Sequence, residues 1–205
     1  MKPYILLVSG PSGAGKSTLL TRLFAEFEKD LYFSISSTTR EPRMSEIHGK
    51  DYFFVTQKEF ERDIKEGNFL EYAKVHGNYY GTSLKHTLKA LDSGKIVVFD
   101  IDVQGFFIAK EKIGEKIVSI FITTKNEAKL KQRLFKRNAD KMSDLQKRLD
   151  NAKDEMKALK DYDYLIINDD LEKSYKLLRA IFLAQRAKIT NQNLNELQKL
   201  WEKGD

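Results

Sequence analysis

Four short apolar runs divide the chain, and they predict the strands of a buried parallel sheet. They cover residues 4–8, 96–99, 117–122 and 164–167. Each run is continuous rather than alternating, as expected for strands that helices cover on both faces. Between the runs, apolar residues recur at the spacing of amphipathic helices, so the predicted fold class is α/β. The helical sets are Leu19, Leu20, Leu23, Phe24 and Phe27, then Leu84, Leu88 and Leu91, then Leu178, Ile181 and Phe182.

Two segments interrupt this alternation of strand and helix. Residues 34–83 contain short strand patterns, and Thr56 with Glu59 forms a capping box that predicts a short helix. We interpret this segment as a small, mostly β insertion. Residues 125–155 are charged and helical, which fits either a solvated helical face or a lid, and we interpret them as a lid. The core would then comprise residues 1–33, 84–124 and 156–205.

The end of the chain carries one more helical pattern. Its apolar residues are Leu194, Leu197, Leu200 and Trp201. This apolar face would pack either on the core or on another subunit, and the pattern alone does not choose between the two. The protein could therefore be a monomer or a homo-oligomer.

The strongest chemical signal follows the first apolar run. Residues 10–17 read GPSGAGKS and fit the phosphate-binding pattern of Gly, four residues of any type, Gly, Lys, then Ser or Thr. Glycines let the backbone approach an anion closely, and the positive end of the following helix attracts it. Lys16 would contact the β- and γ-phosphates of a nucleotide, and the Ser17 hydroxyl would hold Mg²⁺.

Further polar residues lie where a second ligand could bind. Arg40 and Arg43 follow a hydroxyl-rich stretch, and arginine suits a bidentate grip on phosphate. Glu71 lies among apolar neighbours in a predicted strand, so it either faces outward or reads a donor group of a ligand. Asp100 and Asp102 follow the second apolar run, where α/β sheets bind ligands. Such an aspartate either supports Mg²⁺ or belongs to a turn.

Composition narrows the class of ligand. The formal net charge is +6, which suits nucleic acid, a membrane surface or a small polyanion. No nucleic-acid-binding module is recognisable and no apolar run approaches the roughly 18 residues of a membrane helix, so we expect small phosphates and neither nucleic acid nor membrane.

The chain has no cysteine, which fits a cytoplasmic location. His48, His76 and His86 lack the spacing of metal ligands.

Taken together, these motifs resemble those of the guanylate kinase family, whose members phosphorylate GMP with ATP. The resemblance extends from about residue 4 to residue 186. It implies a P-loop NTPase core with a parallel sheet flanked by helices, a GMP-binding insertion at 34–83 and a helical lid at 125–155. It also implies ATP as co-substrate and Mg²⁺ as cofactor. The matching segments are SGPSG at 9–13, SSTTR with Pro42-Arg43 at 36–43, GKDY at 49–52, GNYYG at 77–81, DIDVQG at 100–105 and INDD at 167–170.

The resemblance further implies roles for individual residues. Lys16, with Arg133, Arg137 and Arg148 from the lid region, would act on the transferring phosphoryl group. Ser17 would hold the metal, with Asp100 directly or through water. The ATP site would comprise Gly10, Pro11, Ser12, Gly13, Ala14, Gly15, Lys16, Ser17, Thr18 and Asn168, and the GMP site Ser36, Arg40, Arg43, Tyr52, Glu71, Tyr80, Gly81, Thr82, Asp100 and Asp102.

The chemistry of guanine supports the role that the resemblance implies for Glu71. Guanine presents two adjacent donors, its N1–H and its 2-amino group, and an ionised Glu71 offers two acceptor oxygens. Adenine has neither donor and would leave that carboxylate unpaired. Arg40, Arg43, Tyr52 and Tyr80 would hold the GMP phosphate.

One residue departs from the family pattern. Asn138 follows Arg137 where the family usually has glycine, which affects the turn of the lid. An alternative reading is a catalytically inactive, guanylate-kinase-like protein-binding module. Such modules typically lose the phosphate loop or its lysine, and here both are present. A kinase for another small acceptor is a third reading, against which the hydroxyl, tyrosine and glutamate side chains of residues 34–83 argue.

Overall fold

The four apolar runs of the sequence form four of the five strands of the large sheet. The computed structural model describes residues 2–75, 77–137 and 142–203, and the side chains of residues 75, 137, 142–144 and 203 lie outside this description. Every residue of the first strand is buried. The strands within the described ranges are β1 (Ile5–Ser9), β2 (Leu31–Phe33), β3 (Ser37–Thr38), β4 (Phe53–Phe54), β5 (Phe69–Val75), β6 (Asn78–Ser83), β7 (Ile96–Asp100), β8 (Ile117–Thr123) and β9 (Tyr164–Ile167).

The helices begin at polar caps that can be recognised in the sequence. The predicted capping box is present, since the Thr56 side chain accepts the Glu59 N–H and the Glu59 carboxylate accepts the Thr56 N–H. Ser83 and Asp170 cap two other helices, since their side chains accept the backbone N–H groups of His86 and Lys173. The described helices are α1 (Lys16–Phe27), α2 (Gln57–Lys65), α3 (Leu84–Asp92), α4 (Val103–Ile113), α5 (Glu127–Arg137), α6 (Met142–Met156), α7 (Leu171–Ala187) and α8 (Leu194–Lys203).

The large sheet has five parallel strands in the order β2-β7-β1-β8-β9. Successive residues of β1 point to opposite faces, so Leu6 and Val8 join one apolar cluster while Ile5 and Leu7 join the other. Helices α1 and α7 cover the first face, and α3 and α4 cover the second. The α/β prediction is confirmed, and α4 is a helix that the apolar pattern did not predict.

A second, four-stranded sheet lies within the segment interpreted as an insertion. Its order is β4-β3-β6-β5, with β5 and β3 antiparallel to β6. The sheet packs on α2 through Phe60, which is fully buried and stacks on the rings of Phe69 at 4.2 Å and Tyr79 at 5.1 Å between centroids. This aromatic stack is the core of the small unit.

Helices α5 and α6 pack on each other through a separate small core of Leu130, Leu134, Leu149 and Ala152. At the end of the chain, α8 leaves Leu197, Leu200 and Trp201 half exposed or more. These three side chains therefore do not complete the core of their own subunit. Among the described residues, none of the helices combines the length and the apolar character that crossing a membrane requires.

We expect Phe60→Ala to destabilise the protein by about 3–5 kcal/mol, because it removes a fully buried ring and leaves a cavity. Phe135→Ala is the matched control, since that ring is 57% exposed and its loss should cost about 0.5 kcal/mol or less. Urea denaturation of both variants measures the difference. Equal losses in the two variants would show that Phe60 does not hold the small sheet.

Candidate active site

The phosphate-binding motif forms the connection between β1 and α1. Gly10 has a φ of +132°, and a Cβ at this position would lie 2.0 Å from the carbonyl oxygen of Ile122. Only glycine fits there, because the loop backbone passes directly over β8. Helix α1 begins at Lys16, so its N-terminal N–H groups open toward the loop. The sequence motif thus has the strand, loop and helix that anion binding requires.

Lys16 lies at the centre of this loop. Its ammonium donates to the carbonyl oxygens of Gly10 and, at 3.3 Å, Pro11. A cavity of about 390 Å³ opens beside it. The lining brings together nine of the predicted site residues and adds two more, Ile101 and Glu155. The lining residues are Gly10, Ser12, Gly13, Gly15, Lys16, Ser17, Thr18, Asp100, Ile101, Asp102 and Glu155.

Three carboxylates face this cavity, and they have different environments. Burial raises the pKa of Asp100, and the nearby positive charge of Lys16 partly offsets this effect. Asp102 caps α4, because its carboxylate accepts the Gly105 N–H at 2.8 Å. Burial also raises the pKa of Glu155, and its Oε2 has no hydrogen-bond partner among the described residues. The cavity therefore offers carboxylate oxygens that the protein itself does not fully satisfy.

Sequence reasoning missed Glu155. It lies seven residues after Arg148 on α6, so both are on the same helical face. This spacing was the available signal, but the segment is rich in charged residues and nothing local distinguishes one carboxylate from the others. The long-range packing of α6 brings Glu155 to the phosphate loop.

Asn168 lies under the phosphate loop rather than in the cavity lining. It is 3% exposed, and its Nδ2 donates to the carbonyl oxygen of Ala14 at 2.8 Å. Arg133 of α5 donates to the same oxygen from Nη1 at 3.2 Å. A Cβ at Gly15 would lie 2.3 Å from the Asn168 Nδ2, so the glycine allows this approach. The Ala14 carbonyl thus connects the phosphate loop to Asn168, which follows β9, and to α5 of the predicted lid.

The small sheet carries the arginine and tyrosines predicted to hold a phosphate. The Arg40 guanidinium lies 5.6 Å from the centroid of the Tyr52 ring, and that ring meets Tyr80 edge-on at 6.0 Å. Arg40 also donates to Glu46, a residue that the sequence reading missed. The Arg43 side chain is exposed, and its backbone N–H donates to the same carboxylate at 2.8 Å.

Glu71 has a partner within the small sheet. The Thr82 hydroxyl donates to Glu71 Oε1 at 2.6 Å, across the pair of strands β5 and β6. Glu71 is partly buried and Thr82 fully buried, so the carboxylate is held in one orientation. Gly81 follows Tyr80 in β6 and is buried against β5. Ser36 precedes β3, and its carbonyl accepts the Phe53 N–H at 2.9 Å.

The remaining predicted residues are placed as follows. Arg148 is partly buried on α6, whereas the Arg137 side chain, Asn138 and His76 lie outside the described residues. The His86 ring stacks on Phe53 with 3.9 Å between centroids.

In the described part of the chain no group of three or more His, Cys, Asp or Glu side chains could hold a metal ion. A metal would therefore need ligands beyond such a cluster, such as hydroxyl, phosphate or water oxygens.

The fold and the site together define a class of protein. A central parallel strand, a glycine loop with Lys16 and Ser17, and a helix that begins at the lysine are the phosphate site of P-loop nucleotide-binding proteins. The cavity at the carboxyl ends of the strands is where that class binds its nucleotide.

The comparisons with known proteins define the family. The guanylate kinase family model matches residues 1–185. The guanylate kinase of Campylobacter jejuni strain RM1221 is 60% identical over 205 residues, which covers 100% of both chains. That of Helicobacter pylori strain 26695 is 47% identical over 198 residues, covering 97% of this chain and 95% of the relative. The crystal structure of guanylate kinase from Anaplasma phagocytophilum superimposes with a TM-score of 0.68 and 34% identity, covering 95% of this chain and 93% of that one. The chain belongs to the guanylate kinase family.

We expect Asn168→Ala to cost about 0.5–1.5 kcal/mol of stability, because the Ala14 carbonyl loses one of its two side-chain donors and keeps Arg133. Asn168→Asp should cost more, since a carboxylate accepts hydrogen bonds and cannot donate to that oxygen. Asn191→Ala is the control, because its amide donates to the Gln185 carbonyl at 2.9 Å on a less buried part of the chain. The loss of unfolding free energy, measured in urea, should be largest for Asn168→Asp, smaller for Asn168→Ala and smallest for Asn191→Ala. A cost for Asn168→Ala no greater than for Asn191→Ala would contradict the role given to this contact.

Proposed function

We propose that this protein is an ATP:GMP phosphotransferase, which moves the γ-phosphoryl group of ATP to GMP and forms ADP and GDP. The observation that carries this proposal is the shared cavity of the phosphate loop and the strand-end carboxylates, in a chain of the guanylate kinase family. Lys16 and Ser17, which a non-catalytic binding module could lose, both line it.

The ATP phosphates would lie against the loop between β1 and α1. Lys16 would exchange its contacts with the Gly10 and Pro11 carbonyls for contacts with phosphate oxygens. These hydrogen bonds would be stronger, because the phosphate oxygens carry negative charge. Asn168 and Arg133 hold the loop from the other side through the Ala14 carbonyl. Arg133 would move from this carbonyl to the phosphates when the lid, residues 125–155, closes over them.

The residues present fit a magnesium ion. Ser17 offers a hydroxyl and Asp100 a carboxylate, and both line the same cavity, as the preference of Mg²⁺ for oxygen ligands requires. When bound, Mg²⁺ neutralises charge on the phosphates. Because the cavity also faces Asp102 and Glu155, a divalent cation would reduce the repulsion between these carboxylates and the nucleotide.

The acceptor would bind to the small sheet, residues 34–83. Arg40, Arg43, Tyr52 and Tyr80 would hold its phosphate, and Ser36, Glu71 and Thr82 would read guanine. Thr82 orients Glu71 Oε1, and the carboxylate retains acceptor positions for the N1–H and the 2-amino group. An oxygen of the GMP phosphate then attacks the γ-phosphorus, and the bond from that phosphorus to the β–γ bridging oxygen breaks. The oxygen leaves with ADP, so no protein nucleophile is needed.

The test is an ADP-release assay with ATP and Mg²⁺ in which GMP, AMP, CMP and UMP are offered in turn. We expect turnover with GMP alone. Lys16→Ala is the matched control, and it should lower kcat by about two orders of magnitude or more with an unchanged melting temperature. Folded protein that binds GMP but phosphorylates none of the four would refute the proposal and favour the binding module.

We expect Glu71→Gln to raise KM for GMP about 100-fold while KM for ATP stays constant, because the amide presents a donor where guanine also has donors. Discrimination against AMP should fall by a similar factor. Glu111→Gln, an exposed change on α4, should alter neither constant. Steady-state kinetics with both acceptors measure the ratio. A GMP to AMP ratio equal to that of the unmodified protein would remove Glu71 from the base site.

A further inference from the structure

Glu46 holds Arg40 in a fixed position. The Arg40 Nη2 donates to both carboxylate oxygens of Glu46, at 2.8 and 2.9 Å, and its Nη1 donates to the Glu41 carbonyl at 2.7 Å. A guanidinium has five N–H donors, and these contacts use at most three. Donors therefore remain for an oxyanion.

This ion pair differs from the others in its burial. The Arg40 and Glu46 side chains are 18% and 16% exposed. In every other ion pair of the described residues, at least one partner is 39% exposed or more. Water and salt screen a pair less when both partners are covered, so this contact restricts the arginine more than a surface pair would.

Backbone contacts fix Glu46 itself. Its carboxylate accepts the Arg43 N–H at 2.8 Å, and its own N–H donates to the Arg43 carbonyl at 3.0 Å. The backbone contact with Arg43 and the guanidinium of Arg40 keep the pKa of Glu46 below its usual range, so the carboxylate is charged at neutral pH. The turn between Arg43 and Glu46 thus ties together both arginines of the proposed acceptor site.

We propose that Glu46 is a positioning residue for the acceptor phosphate, which orients the Arg40 guanidinium before the nucleotide arrives. This inference rests on the proposed function, since it takes Arg40 as a phosphate ligand. A free arginine would lose its rotamer freedom when GMP binds, whereas an arginine already held by Glu46 does not. Repulsion between the Glu46 carboxylate and the phosphate would oppose binding of GMP. Arg40 and Arg43 balance that repulsion because both lie beside the same carboxylate.

The test measures binding of GMP and of guanosine to Glu46→Gln and Glu46→Asp by calorimetry, with KM for GMP alongside. We expect GMP to bind about 5- to 10-fold more weakly to both variants, the effect of ordering one long side chain. Guanosine lacks the phosphate, so its affinity should be unchanged. Glu172→Gln is the matched control, because Glu172 is bound by both Nη atoms of Arg22 between α1 and α7, and neither affinity should change there.

Each outcome has a distinct meaning. Tighter GMP binding by Glu46→Gln would show that the carboxylate competes with the phosphate, and it would overturn the proposal. An equal loss for GMP and guanosine would show a general structural role and would also overturn it. Glu46→Asp keeps the charge but shortens the side chain, so unchanged GMP binding by that variant would contradict positioning. If the unmodified protein binds GMP without phosphorylating it, the proposed function fails while these affinities still test Glu46.

Discussion

The parallel pairing of β1 with β7 on one side and β8 on the other is the constraint on which the site depends. It places Val8 beside Asp100 and Ser9 beside Phe121, so the phosphate loop leaves the sheet between its two neighbours. The Gly10 backbone passes close to the Ile122 carbonyl. A residue outside the motif therefore fixes the position of the loop. A shift of register would separate Lys16 from Asp100, whatever the local sequence.

The two halves of the proposed active site differ in how far the protein satisfies its own polar groups. At the phosphate loop, Glu155 Oε2 and Asn168 Oδ1 are buried without a hydrogen-bond partner among the described residues, and burial raises the pKa of Asp100. Such groups carry a free-energy cost that a charged ligand can remove. On the small sheet, Glu71 is paired with Thr82 and Arg40 with Glu46. At the loop the protein therefore leaves acceptor oxygens unpaired, whereas the small sheet orders its polar groups through its own contacts.

Much of this architecture can be read from contiguous residues. The apolar runs predict four of the five strands of the large sheet, because a strand buried on both faces needs an unbroken apolar sequence, whereas the edge strand β2 has only three residues. The capping box of Thr56 and Glu59 is local and is present as predicted. Helix α4 was not predicted. The Asp102 carboxylate caps that helix and lines the cavity as well.

The sequence by itself determined the α/β class, the phosphate loop and the family motifs, because each depends on residues within a few positions of one another. Only the tertiary structure decided which distant side chains complete the site. Asn168 reaches the Ala14 carbonyl across 154 positions of sequence, and Glu155 comes to the loop through the packing of α6. The pairing of Arg40 with Glu46 spans only six positions, yet nothing in the spacing distinguishes it from the other charges nearby. The contacts of Asn168 and Glu155 depend on strand order and helix packing, which local patterns of hydrophobic and polar residues do not specify.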